Sequence, residues 1–232
     1  RQTFKEWEWI VVSPFEYMGA RWVKEPRKLH GDYYNLNKAW NAAFKRAKGE
    51  LIVSIVDKLW FPPDILDDLW AHYMLDPMAC IGGVGNQYEE NKNDKPEVMV
   101  WKDPRIREFE SFYKASPLDF ELCIASLPKK ALYDVGGVDE VFDRYAAMSE
   151  KELCYRIKQL GYEFYIDHTI EYRAIKHPRL SDAWAAHYEA GIPYFQQCIE
   201  LVNHKKRLRL DYLSEKDDNI LNGVSEKEPA TI

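Results

Sequence analysis

The 232-residue sequence lacks any apolar run approaching the ~18 residues that cross a membrane. It also lacks a signal-peptide pattern of basic start, apolar stretch and small-residue cleavage site. Its four cysteines, Cys80, Cys123, Cys154 and Cys198, are scattered and show no CxxC spacing. That excludes a disulfide scaffold, and the four are expected to be reduced, mostly buried thiols of a cytoplasmic protein. Excess positive charge is missing too. The formal net charge is −6, so nucleic acid is not an expected partner, because such binding rests on neutralising phosphates. No internal repeat is present. No methionine opens the chain, which is expected to begin inside a domain.

Apolar residues make up 46% of the chain, enough for a core in one domain of ordinary size. Aromatics reach 14%, with 8 Trp and 15 Tyr. Such a surplus fills cores, and it also lines sites for flat or sugar-like ligands.

The stretch Gly49-Glu-Leu-Ile-Val-Ser-Ile-Val-Asp57-Lys-Leu-Trp60-Phe-Pro-Pro-Asp64 organises the sequence. Leu51 to Val56 is a short, β-branched apolar run that reads as a strand buried on both faces of a parallel sheet. A helical pattern over 35–48, with Leu36, Ala39, Trp40, Ala43, Phe44 and Ala47 on one face, precedes it. Pro62 and Pro63 end the short segment after Asp57, and Asp64 opens a second helix to Leu75. Asp57 therefore sits where a buried strand emerges. In open α/β sheets ligands bind at that edge. An acid capping a turn before the prolines is the alternative.

Elsewhere, strands are predicted over 9–12, 79–84, 98–101, 120–126, 162–166 and 170–175. Residues 86–96 read as a surface loop and 104–114 as a helix. Pro128 opens a short helix that Gly136-Gly137 ends. Ser149-Glu150-Lys151-Glu152 reads as a capping box for a helix to about Leu160, and a long helix spans 182–203. His204-Lys205-Lys206-Arg207-Leu208-Arg209 reads as a solvated helix end. The charged tail from about Ser214 is expected to be loose. This is an α/β chain with a mixed sheet.

Five segments resemble the family 2 glycosyltransferases of GT-A fold. They are Gln2-Thr-Phe-Lys-Glu-Trp-Glu-Trp-Ile-Val-Val12, and Asn41 through Ile52 with Asp57 and Pro63. Gly136-Gly-Val-Asp-Glu-Val-Phe142 is the third, then Ser149-Glu-Lys-Glu-Leu-Cys-Tyr-Arg156 with Gly161-Tyr162, and His177-Pro178. The resemblance covers roughly 1–180. It implies a GT-A-like, Rossmann-like three-layer sandwich with a mixed, mainly parallel sheet over 1–180, incomplete at its N-terminus. Residues 181–232 are then a C-terminal helix and charged tail.

The resemblance further implies transfer of a sugar from a UDP- or GDP-linked donor to a glycan or other hydroxyl acceptor, with inversion. Glu150 falls at the position of the catalytic base, although a first-turn helix acid is its bland alternative. Donor contacts are expected from Asp57, Asn35, Lys38 and Ser13. Acceptor contacts are expected from Trp60, Asp119 and Glu121. A divalent metal, Mn²⁺ or Mg²⁺, is implied, with Asp57 and His177 as ligands.

The sequence departs from the pattern in four places. The metal motif Asp-x-Asp reads Asp57-Lys58-Leu59. Ser13-Pro14 replaces the early-strand acid. Ser149-Glu150 replaces Glu-Asp, and the family's first strand and helix are absent. These departures keep open a degenerate, non-catalytic GT-A-like module that binds a glycan or protein partner. A nucleotidyltransferase of similar build is a third possibility.

Overall fold

A computed structural model describes residues 2–90, 95–176 and 182–213. Among them, strands β1 (Ile10–Ser13) and β2 (Arg21–Lys24) precede helix α1 (Leu36–Arg46), β3 (Leu51–Ile55), β4 (Leu59–Trp60) and α2 (Ile65–Leu75). Strands β5 (Ala79–Tyr88), β6 (Met99–Trp101), β7 (Phe112–Lys114) and β8 (Ile124–Pro128) come next, then α3 (Lys129–Asp134) and a 3-10 turn (Glu140–Arg144). The described elements close with α4 (Ser149–Gln159), β9 (Glu163–Ile175) and α5 (Asp182–Asn203). No described helix is long and apolar enough to cross a membrane.

The main sheet runs β3-β8-β5-β9-β4, with β6 added to β5 and β7 to β9. Alternate side chains point to opposite faces, and the two cores obey that rule. Cys80, Leu127, Phe164 and Ile166 join Phe44 of α1, Leu132 of α3, and Leu153 and Ile157 of α4. Ile81, Ile124, Ile170 and Tyr172 join Ile65 and Leu69 of α2 on the other face. The expected three layers are present: helices α1, α3 and α4, then the sheet, then α2.

The sheet is mixed, as expected, but its pairing is less parallel than a mainly parallel sheet would give. Within the main sheet only β5 and β9 pair parallel, and the other ladders are antiparallel. The reason lies in the segment before β8. It delivers the chain to the carboxyl end of β3, with Ile124 opposite Ile55. β8 must then run against its neighbours β3 and β5.

β3 itself is an edge strand, not the doubly buried parallel strand its composition indicates. It ends the sheet, because β1 pairs with β2 in a separate two-stranded sheet; Ile52 and Ser54 are buried on one face, while Leu51 and Val53 are partly buried against the α2 core on the other. The helix expected over 104–114 is absent, since Phe112–Lys114 instead pairs with Tyr165–Asp167 on the free edge of β9. Tertiary pairing overrides local preference there. β5 extends through residues 86–88 into the expected loop, because β9 and β6 flank it there. The two strands expected over 162–175 are one. Its register against β5 jumps from Gly82–Ile166 to Val84–Glu171, and Asp167 Oδ1 accepts from Thr169 N at 2.8 Å within that bulge.

Two further corrections concern α4 and the residues after α5. Ser149 makes no cap, for Met148 occupies that position in left-handed conformation (φ 77°) with no side-chain cap bond. The second capping-box residue, Glu152, turns inward. Its carboxylate takes Arg156 Nε at 2.9 and 3.0 Å, both side chains being fully buried. Arg207, read as part of a solvated helix end, bridges Asp139 and Glu152 and is half-buried. Residues 210–213 continue over the glycine turn: Leu210 N donates to Val135 O at 2.9 Å and Tyr212 N to Gly136 O at 3.1 Å. Gly136 has φ +72°, and a Cβ there would lie 1.4 Å from Leu210 O, so the close approach requires glycine.

Candidate functional site

After β3 the chain does not turn back. Residues 56–58 carry it past the amino end of β8 and the carboxyl half of β5 to β4, which pairs on the far side of β9. Asp57 and Lys58 ride on that crossing and are exposed. Val56 N donates to Cys123 O at 3.1 Å, and Ser54 Oγ donates to Leu122 O at 2.8 Å. Leu122 N in turn donates to Glu150 Oε2 at 3.3 Å. Two residues of one short segment thus connect the Asp57 crossing to Glu150 at the start of α4, both at the carboxyl edge.

Glu150 keeps a side chain 24% exposed, so it is reachable while partly desolvated. Burial pushes its carboxyl above the ordinary value; neighbouring Glu121 adds to the rise, and Lys151 opposes it. Lys151 Nζ lies 3.6 Å from Glu150 Oε1 and donates to Phe120 O at 2.7 Å. A carboxyl with a raised pKa at an accessible edge is a candidate for taking or giving a proton.

The neighbouring Glu121 is held by a cation that sequence reasoning missed. Arg105 Nη2 lies 3.2 Å from Glu121 Oε2, and Arg105 Nε donates to Asp103 Oδ1 at 3.0 Å. Asp103 is anchored by the sheet: Gly85 N donates to its Oδ2, and its own N–H donates to Asn86 Oδ1, both at 2.9 Å. Burial alone would raise the Asp103 pKa, but the Arg105 hydrogen bond and the Gly85 N–H outweigh it and hold the carboxyl below its ordinary value. Asp119 sits nearby, exposed on the turn begun at Ser116, and its carbonyl lies 3.4 Å from Arg105 Nη1. Cys123, beside both glutamates, is pushed up to about 12 by burial and by Glu121, and is therefore a neutral thiol. The available signal was Asp103-Pro-Arg105, an acid and base two residues apart around a proline, hidden by the helical reading.

Other expected site residues are engaged elsewhere. Ser13 Oγ donates to Phe15 O, and Ser13 O accepts Trp22 Nε1 at 3.2 Å, so this residue closes its own loop in the small sheet. Asn35 Nδ2 donates to Glu25 Oε1 at 3.2 Å and to Pro26 O. Lys38 Nζ is paired with Asp32 and lies 3.4 Å from Asp143 Oδ2. The amino end of α1 already holds an anion of its own, for the fully buried Asp143 accepts Asn37 N at 2.9 Å and Lys38 N at 3.3 Å. A donor phosphate at this helix end would have to displace that carboxylate. Trp60 is a ring flanked by cations, with Lys95 Nζ 4.2 Å and Arg173 Cζ 5.7 Å from its centroid. His177 lies outside the described residues.

A hard divalent ion takes about six oxygen or imidazole ligands. Among the described residues no three His, Cys, Asp or Glu side chains form a group that could hold one. Asp57 is a single exposed carboxylate followed by Lys58, whose like charge opposes a cation. The described residues alone do not fit the expected Mn²⁺ or Mg²⁺.

No family model matches the sequence, and no curated protein matches it. Among solved structures the chain is similar to GalNAc-T7, crystallised with UDP, GalNAc and Mn²⁺. The TM-score is 0.49 at 14% identity, and the match covers 81% of this chain and 44% of that one. The chain thus spans under half of that protein's length, and a likeness at this level carries no weight for function.

Proposed function

We propose that this chain is a glycosyltransferase of the family 2 kind, acting in the cytoplasm on a UDP- or GDP-linked sugar and a hydroxyl acceptor such as a glycan. The observation that supports this most is Glu150: a partly exposed carboxyl with a raised pKa, beside Glu121, at the same sheet edge as Asp57. Its Oε takes the proton of the acceptor hydroxyl as that oxygen attacks the anomeric carbon. The bond from that carbon to the diphosphate breaks, and its electron pair leaves with the diphosphate. One base on the face opposite the leaving group gives inversion. Asp57 sits on the donor side, where a carboxylate accepts hydrogen bonds from ribose or sugar hydroxyls. Glu121 and Asp119 lie on the acceptor side, with Arg105 fixing the direction of Glu121.

A degenerate binding module is the second reading, and the lone Asp57 beside Lys58 favours it. Incubating the protein with a panel of UDP- and GDP-sugars and monitoring nucleotide release and product configuration separates the two. Release from one donor with an inverted product supports the transferase. Nucleotide-sugar binding without turnover supports the module.

A further inference from the structure

Lys151 follows Glu150 in the first turn of α4, yet its side chain is only 16% exposed. A lysine ordinarily buries its stem and keeps its ammonium in water. Here Nζ donates to Phe120 O at 2.7 Å and lies 3.6 Å from Glu150 Oε1. The other oxygen, Glu150 Oε2, accepts Leu122 N at 3.3 Å. The stretch from Phe120 to Leu122 is therefore tied to α4 at both its ends, and Glu121 between them lies 3.2 Å from Arg105. The chain enters α4 through two consecutive non-glycine residues in left-handed backbone, Ala147 (φ 78°) and Met148 (φ 77°). Such backbone persists only where surrounding contacts hold it. The ties of Glu150 and Lys151 to residues 120–122 are contacts of that kind.

The titratable groups facing Glu150 come from two elements. Lys151 and Cys154 belong to α4, and Glu121 and Cys123 to the segment that leads into β8. Burial pushes both thiols up, so they are neutral. Arg105 stands beyond Glu121, with its guanidinium on Asp103 as well. The charges that act on Glu150 are then opposed: Glu121 favours its protonated form, and Lys151 favours its carboxylate.

We propose that Lys151 is the positioning residue of the base: it holds Glu150 against the acceptor-side segment Phe120–Leu122 and supplies the positive charge that the carboxylate form needs. The proposal rests on the transferase reading, in which Glu150 takes the acceptor's proton. A protonated Glu150 cannot do so, and burial beside Glu121 favours protonation. Lys151 counters both without touching a reacting atom. Its ammonium loses the Phe120 carbonyl if it turns out to solvent, so the charge stays beside Glu150.

The test compares wild type with Lys151→Met, Lys151→Gln and Lys151→Arg in the full chain, each checked by a thermal melt. Glu150 is read directly, without substrate, from the pH titration of its ¹³C-labelled carboxyl signal, assigned by its loss in Glu150→Gln. Both neutral variants should move that midpoint to higher pH, and Arg should keep it near wild type. In transfer assays, kcat/KM of the neutral variants should fall about tenfold on the acid limb, the low end of what one nearby opposite charge does. It should recover to the wild-type plateau at higher pH, where Glu150 is ionised without help. A Lys151 that merely braces the fold gives an unmoved midpoint, or an equal loss of rate at every pH. Either result overturns the proposal and leaves the transferase reading standing. A midpoint that moves in a protein that transfers no sugar at any pH overturns both.

Discussion

Among the described residues Arg156 is the largest fully buried side chain, and replacing it with Leu tests how helix α4 is held. Its guanidinium makes five short contacts. Three go to the Glu152 carboxylate at 2.9–3.0 Å, and two, at 2.7 Å, go to the carbonyls of Val135 and Gly137. Arg156→Leu leaves a carboxylate of zero exposure with only Arg207 Nε, 3.4 Å away, as its cation. Removing one partner of a buried pair costs ~3–5 kcal/mol. For a domain of this size that lowers Tm by ~6–20 °C. Glu152→Leu added to it removes the stranded charge, so the double variant should recover part of the loss. The recovery is incomplete, because both carbonyls stay without their donors. Scanning calorimetry on the three proteins is the assay. A single variant within ~1 kcal/mol of wild type, or a double variant no more stable than the single, refutes the reasoning.

Asp143→Ala should cost ~2–4 kcal/mol, because Asn37 N, Asn37 Nδ2 and Lys38 N lose one buried charged acceptor, and urea titration reads the change. Glu150→Gln should stabilise the fold in a pH-dependent way. The folded state holds the Glu150 proton to higher pH than the unfolded chain does, so the native residue's contribution is lost as pH rises from its ordinary value of 4.5 through the raised folded value. The Tm advantage of Gln should therefore be small in acid and grow toward neutral pH; a difference that does not change with pH contradicts the burial account. By the same group, the turnover rate of the wild type should rise with pH as Glu150 loses its proton.

Much of the layer plan was legible because period and punctuation are local. The amphipathic 35–48 segment, the apolar 51–56 run and the 182–203 helix all appear within a residue or two of their expected places. What escaped was set by distant partners. Whether β3 is central or marginal depends on where β1 goes, and nothing inside Leu51–Val56 records that. The 104–114 segment carries a helical pattern that the free edge of β9 overrides. Ser149 to Glu152 has capping-box spacing, but Arg156, one turn on, draws Glu152 into the core. Of the candidate site, the positions of Asp57 and Glu150 at the sheet edge were legible because each ends or opens a recognisable element. Arg105 was not, because its worth comes from Asp103, Gly85 and Glu121, which only the fold brings together. Lys38 and Asn35 looked like phosphate ligands at a helix end, and the anion beside that end, Asp143, comes from a hundred residues away.

The central claim is that Glu150 is the base that activates the acceptor hydroxyl. The direct measurement is the transfer rate of Glu150→Gln at saturating donor and acceptor, alongside the Kd for the nucleotide. Gln keeps the size and the Leu122 contact but cannot take a proton. The rate should fall ~10²–10⁴-fold with nucleotide Kd unchanged, whereas Asp57→Asn should weaken donor binding. Near-wild-type turnover by Glu150→Gln would contradict the claim.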